Sequence, residues 1–90
     1  MYLRNVLVQN RTGLHIRTAS EFVALAKNYQ SKITIRLASD EDEVNAKSIM
    51  LVLSIGIGQG DEIVITAKGE DETEAVDTLV ALVESKFGED

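Results

Sequence analysis

The sequence predicts an α+β fold on two observations. Short stretches alternate apolar and polar residues at the strand period, and two longer stretches repeat their apolar residues at the helical period. At 90 residues the chain can bury one modest core and not two, so it reads as a single domain over 1–90. No proline, repeat or flexible linker interrupts it.

Tyr2 to Gln9 carries Leu3, Val6 and Val8 and reads as a first strand, closed by the turn residues Asn10 to Gly13. Leu14 follows as an apolar anchor beneath that loop. From Ile16 to about Tyr29, the positions Ala19, Phe22, Val23, Ala26 and Tyr29 keep i, i+3, i+4, i+7 spacing, which predicts an amphipathic helix lying on a sheet. Lys32 to Leu37 alternates Ile33, Ile35 and Leu37 with polar residues, a half-buried strand. Ser39 to Asp42 is a polar turn, and Glu43 to Lys47 would return antiparallel around Val44 and Ala46. Ser48 to Leu53 is open between helix and strand, because Ile49 through Leu53 are all apolar. Asp61 to Lys68 alternates Ile63, Ile65 and Ala67 as another strand. Asp71 to Phe87 closes as a helix with Val76, Leu79, Val80, Val83 and Phe87 on one stripe, acids Glu72 and Glu74 in its first turn, and Gly88 as a stop.

Composition narrows the function. The net charge of −6, with no Lys/Arg cluster, disfavours a phosphate-backbone footprint and hence nucleic-acid binding. The absence of cysteine excludes disulfides and thiolate ligation, and fits a reducing cytoplasm. One histidine leaves too few ligands for a zinc site, so no metal is expected; nor is a cofactor. Met1 to Asn5 lacks a signal-peptide pattern, and the longest apolar run, Ile49 to Leu53, falls far short of the ~20 residues that span a bilayer. A cytoplasmic protein without direct membrane insertion is expected. Gly56-Ile57-Gly58-Gln59-Gly60 precedes a strand instead of opening a helix, so it is not a dinucleotide fingerprint. The acidic run Asp40 to Glu43 reads as a solvated hairpin tip.

The chemistry concentrates in Asn10-Arg11-Thr12-Gly13-Leu14-His15-Ile16-Arg17-Thr18-Ala19-Ser20-Glu21. The only histidine stands at the mouth of an amphipathic helix, where unpaired N–H groups and the helix dipole bind anions and disfavour a protonated imidazole. His15 is thereby kept a neutral nucleophile, and Arg17 supplies a planar cation suited to phosphate oxygens. A lone loop histidine and a helix-start arginine are also ordinary surface residues, so the local pattern needs support from elsewhere. Thr18 to Glu21 matches a capping box, which would start the helix late.

That support comes from a resemblance. Gly13-Leu14-His15-Ile16-Arg17-Thr18-Ala19 resembles the Gly-x-His-x-Arg-Pro-Ala motif of the HPr family, the histidine phosphocarriers of the bacterial phosphoenolpyruvate-dependent sugar phosphotransferase system. Asn45-Ala46-Lys47-Ser48-Ile49-Met50, with Ser54-Ile55-Gly56 after it, resembles the regulatory-serine segment of family members from bacteria with an HPr kinase. The resemblance implies an open-faced β-sandwich in β-α-β-β-α-β-α order, a four-stranded antiparallel sheet with helices on one face. It selects a short helix beginning near Ser48, a favoured N-cap residue.

The same resemblance implies that His15 accepts a phosphoryl group on Nδ1 from Enzyme I and passes it to Enzyme IIA domains. The chain would be a carrier with a transient phosphohistidine, not a stand-alone catalyst. Arg17 would contact the phosphoryl group, and Ser48 would be a regulatory phosphorylation site read by an HPr kinase/phosphorylase and a transcriptional co-regulator. Partner docking is assigned to Thr12, Ile16, Ser20, Lys47, Ile49, Met50 and Leu51, with exposed Met50 and Leu51 as an apolar patch. A monomer is expected.

Two residues depart from the family pattern: Thr18 stands where it has proline, and Leu51 where it has glycine. The tail Phe87-Gly88-Glu89-Asp90 bears some likeness to the nitrogen-branch carrier. A ligand-binding, ACT-like regulatory module is the alternative from another class, since small α+β sandwiches host many functions; it leaves His15 and Arg17 idle.

Overall fold

The structure, a computed structural model, describes residues 1–89. In chain order it contains β1 (Tyr2–Leu7), α1 (Ile16–Ala26), β2 (Lys32–Leu37), β3 (Val44–Asn45), α2 (Ile49–Ile55), β4 (Glu62–Lys68) and α3 (Glu72–Glu84). The chain order is the β-α-β-β-α-β-α expected from the resemblance, and the strands form one antiparallel sheet in the order β1-β4-β2-β3.

Register explains which side the helices cover. Val6, Ile63 and Leu37 lie in one row across β1, β4 and β2, and Arg4, Ile65 and Ile35 in the next. Ile33, Ile35, Ile63, Ile65 and Ala67 on this side are fully buried against Phe22 and Ala26 of α1 and Val76, Leu79 and Val83 of α3. Tyr2 and Arg4 share that side, and both donate to Asp77 Oδ1, at 2.8 and 3.1 Å, tying the edge strand to α3. The opposite side is more open, with Leu3 and Leu7 each 46% exposed, although Val64 in the central strand is buried there. Such one-sided burial is what period-2 alternation encodes.

Several boundaries differ from the sequence reading. α1 ends at Ala26 instead of near Tyr29, because Asn28 and Tyr29 donate to Leu25 O and Ala26 O in tight i→i−3 turns. The return strand shrinks to Val44–Asn45. α3 stops at Glu84 instead of Phe87: Lys86 and Phe87 adopt φ of 59° and 54°, left-handed values that turn the chain through a single 3₁₀ turn at Lys86–Gly88. Phe87 is buried as expected, but it enters the core from this turn and not from a helix face. Asp90, the last residue of the tail compared with the nitrogen-branch carrier, lies outside the described residues.

Candidate phosphoryl-acceptor site at the start of α1

The loop before α1 is held from below. Asn10 is fully buried and donates through Nδ2 to Gly13 O at 2.9 Å, and Leu14, 5% exposed, sends its N–H to Ile57 O at 3.0 Å. Gly13 has φ of +62°, and a Cβ there would sit 2.5 Å from Ile57 O and 2.6 Å from Gly58 Cα. Only glycine satisfies both the left-handed conformation and this approach of two backbones. The glycine of the motif therefore sets how deeply the loop seats, and with it the height of His15.

His15 is itself the N-cap of α1, in extended conformation (φ −95°, ψ −170°). Its Nδ1 accepts the N–H of Arg17 at 3.3 Å. Nδ1 therefore presents its lone pair to the positive end of the helix, and in the neutral ring the proton resides on Nε2. Which nitrogen faces the helix was not legible in the sequence. Among the described residues, His15 Nε2 is a buried atom without a hydrogen-bond partner, 3.5 Å from Glu89 Oε2.

Thr18 does not cap the helix with Glu21, as its spacing suggested. The reciprocal box runs from His15 to Thr18: Thr18 Oγ1 accepts the His15 N–H at 3.1 Å and donates to Gly13 O at 2.7 Å. The helix keeps its early start because the extended His15 takes the cap position, and Thr18 sits fully buried in the first turn. Glu21 pairs instead with Arg17 Nη1 at 2.9 Å, a surface i, i+4 contact.

Arg17 reaches over the loop and also pairs with Glu89. The Glu89 carboxylate gathers the Thr12 hydroxyl at 2.9 Å and Asn10 Nδ2 at 3.2 Å as well. Chiefly the Thr12 hydrogen bond, with help from Asn10, His15 and Arg17, holds this carboxyl below the usual glutamate range against the cost of its burial. Sequence reasoning missed both Asn10 and Glu89 as members of the site. Asn10 read as a turn residue, and nothing in the spacing of Glu89 connects it to a loop more than seventy residues earlier.

The remaining candidates spread over the neighbouring helices. α1 and α2 run antiparallel: Lys47 Nζ, just before α2, donates to Tyr29 O just after α1, while Ile57, just after α2, receives Leu14 just before α1. Lys47 is thus partly committed to holding the two helices together. Ile16, Met50 and Leu51 are 71%, 75% and 45% exposed, whereas Val52 is fully buried and Ile49 packs partly on the core. Ser20 Oγ donates to Ile16 O at 2.6 Å. Ser48 caps α2, accepting Leu51 N–H at 3.4 Å, and Gly56 ends that helix in the left-handed conformation (φ 74°).

Residues 3–85 match the family model described as the PTS HPr component phosphorylation site. The chain is 36% identical over 89 residues to the phosphocarrier protein HPr of Cupriavidus necator, covering 99% of this chain and 98% of that one. It is 40% identical over 87 residues to the phosphocarrier protein NPr of Proteus mirabilis, covering 97% and 96%. The crystal structure of HPr-C-His from Thermoanaerobacter tengcongensis superposes with a TM-score of 0.95 at 44% identity, covering 100% of this chain and 99% of that one. These matches give the ligand-binding, ACT-like alternative no support.

Proposed function

The chain belongs to the HPr family of phosphotransferase-system phosphocarriers, and from that premise we propose that His15 Nδ1 accepts the phosphoryl group of phospho-Enzyme I and delivers it to an Enzyme IIA domain. The observation that carries this reading is the aim of Nδ1 at the N-terminus of α1, within 3.3 Å of the Arg17 N–H. A small rotation of the ring frees the Nδ1 lone pair for phosphorus and leaves that N–H for a phosphoryl oxygen. The new P–N bond forms as the P–N bond to the donor imidazole breaks, while Nε2 keeps its proton. Both ends of the transfer are phosphoramidates, so the group passes between partners without a large change in bond energy. Arg17 neutralises the charge spread over the phosphoryl oxygens, and Ile16, Met50 and Leu51 supply the apolar contact for the partner. Thr12, Ser20, Lys47 and Ile49 would border this surface. One copy holds His15, Arg17 and the helix end together, which supports the reading of a monomeric carrier that meets these partners in the cytoplasm.

Ser48 is read as a regulatory site on the same docking surface, phosphorylated by an HPr kinase/phosphorylase and recognised by a transcriptional co-regulator. A phosphate there sits at a helix N-terminus, which its own helix tolerates, and adds about two negative charges beside the partner face. The segment Lys47 to Met50 favours the kinase-regulated type of carrier, and Leu51 alters the surface a kinase would read.

Incubation with phosphoenolpyruvate and Enzyme I tests the reading. The wild type is expected to gain an acid-labile, base-stable phosphate, and His15→Ala none while remaining folded, with only the loss of the cap, about 0.5–2 kcal/mol, in stability. Label retained by folded His15→Ala, or no label on the wild type, overturns the assignment.

A further inference from the structure

The chain has no cysteine, and its sulfur is confined to two thioethers, Met1 and Met50. Both residues stand in solvent, 77% and 75% exposed, but in different parts of the molecule. Met1 lies at the open face of the sheet beside Lys32, Thr34, Thr66 and Lys68, and its ammonium group pairs with Glu72 at 3.0 Å. Met50 belongs to the first turn of α2, in the helix layer on the other face.

Methionine inside a protein commonly fills gaps in the core. Met50 does not: Val52 closes the core from α2, Ile49 and Leu53 pack partly against it, and Met50 takes no part. With Leu51 beside it and Ile16 on α1, it forms the exposed apolar patch and is the most exposed of the three. In a chain without thiols, the thioethers are the sulfur open to two-electron oxidants, and exposure governs access.

We propose that Met50 is a reversible oxidation site whose sulfoxide weakens partner docking without disturbing the fold. This rests on the reading of Ile16, Met50 and Leu51 as the apolar contact for the partner. The oxidant is a peroxide. A sulfur lone pair attacks one peroxide oxygen, the O–O bond breaks, and the S–O bond forms while the proton of the transferred oxygen leaves with the other oxygen as water. Sulfur gives up two electrons and the peroxide takes them. The product places a polar S–O group where an apolar side chain stood, and burying it at the centre of an interface without a donor is unfavourable. The sulfoxide is uncharged, so its effect does not fade in salt as that of a charge beside the docking face does. Methionine sulfoxide reductases reverse the change.

Wild type and Met50→Leu are treated with hydrogen peroxide, freed of it, and titrated calorimetrically with Enzyme I, each against its own untreated form. Peptide masses report which methionine has gained oxygen. Oxidation of wild type is expected to weaken Enzyme I binding about fivefold or more, at low and at high salt alike, with an unchanged melting temperature and recovery after a methionine sulfoxide reductase. Met50→Leu, still oxidised at Met1, is expected to bind the same before and after treatment. Resistance of Met50 to peroxide, affinity that oxidation leaves unchanged, an equal loss in Met50→Leu or a lowered melting temperature each overturns the proposal. Untreated wild type that fails to bind Enzyme I removes the docking reading itself and this proposal with it, whereas the other outcomes leave that reading standing.

Discussion

Thr18 carries the sharpest prediction, because it replaces the family proline and yet braces His15. Its hydroxyl is fully buried, accepting the His15 N–H at 3.1 Å and donating to Gly13 O at 2.7 Å. Thr18→Val keeps the shape and removes both bonds. Gly13 O retains Asn10 Nδ2, but the His15 N–H loses the hydroxyl, and a buried donor left unpaired costs about 1–3 kcal/mol. In a domain of this size that lowers the melting temperature by at least about 4 °C. Thr18→Pro loses the same hydroxyl but gains roughly 0.4–1 kcal/mol from a stiffer unfolded chain, in a first turn where a missing N–H breaks no helical bond. The proline variant should therefore fall between valine and wild type, or match wild type. Urea unfolding with unchanged m-values measures all three. Valine as stable as threonine, or proline less stable than valine, would refute the account of the hydroxyl as a brace under His15.

Ser48→Asp should leave stability nearly unchanged, since aspartate also caps helices, but weaken Enzyme I binding at low ionic strength by about 1 kcal/mol, roughly fivefold, with the effect fading in salt; equal affinities in a calorimetric titration would remove the regulatory role and leave a cap. Asp71 joins the loop before β2 to the start of α3 through Ser31 Oγ and the N–H groups of Gln30 and Ser31, and these bonds, the Ser31 hydroxyl first, hold its carboxyl below the usual range. A lowered folded value means the contribution is complete above the unfolded carboxylate value near pH 4 and disappears as pH falls through the folded value, so Asp71→Asn should separate from wild type in urea midpoint at pH 7 and converge with it in acid. A gap that stays constant down to the acid range would contradict this.

What the sequence made legible follows from how local each signal is. Alternation placed β2 at Lys32–Leu37 without error, because Ile33 and Ile35 are fully buried while the residues between them are not. Helical spacing found the stripes of α1 and α3 but overran both C-termini, since Tyr29 and Phe87 are apolar residues that reach the core from turns. The all-apolar run at Ile49–Leu53 had no period to read, and only the flanking motif resolved it. The Thr18–Glu21 spacing misled for a different reason. Any residue able to accept an N–H can cap, and His15, three residues before Thr18, does so with a ring nitrogen that cap statistics do not favour. Glu89 was invisible because its role depends on a left-handed turn at Lys86 and Phe87, two residues with no preference for that conformation.

The two roles of His15 bear on why the site sits at a helix end at all. Nδ1 satisfies a backbone donor of α1, and on the proposed function that donor is released when Nδ1 turns to phosphorus. Uncapping a helix costs about 0.5–2 kcal/mol, which would oppose phosphorylation if nothing replaced the cap. On the proposed function the phosphoryl group would replace it, its oxygens taking the place of the ring nitrogen and carrying more charge toward the positive end of the dipole. On the proposed function, cap and ligand exchange places on the same N–H. That exchange would conserve the number of satisfied donors. A carrier that must load and unload repeatedly needs that balance, since a site much more stable in either state would hold its phosphoryl group or refuse it.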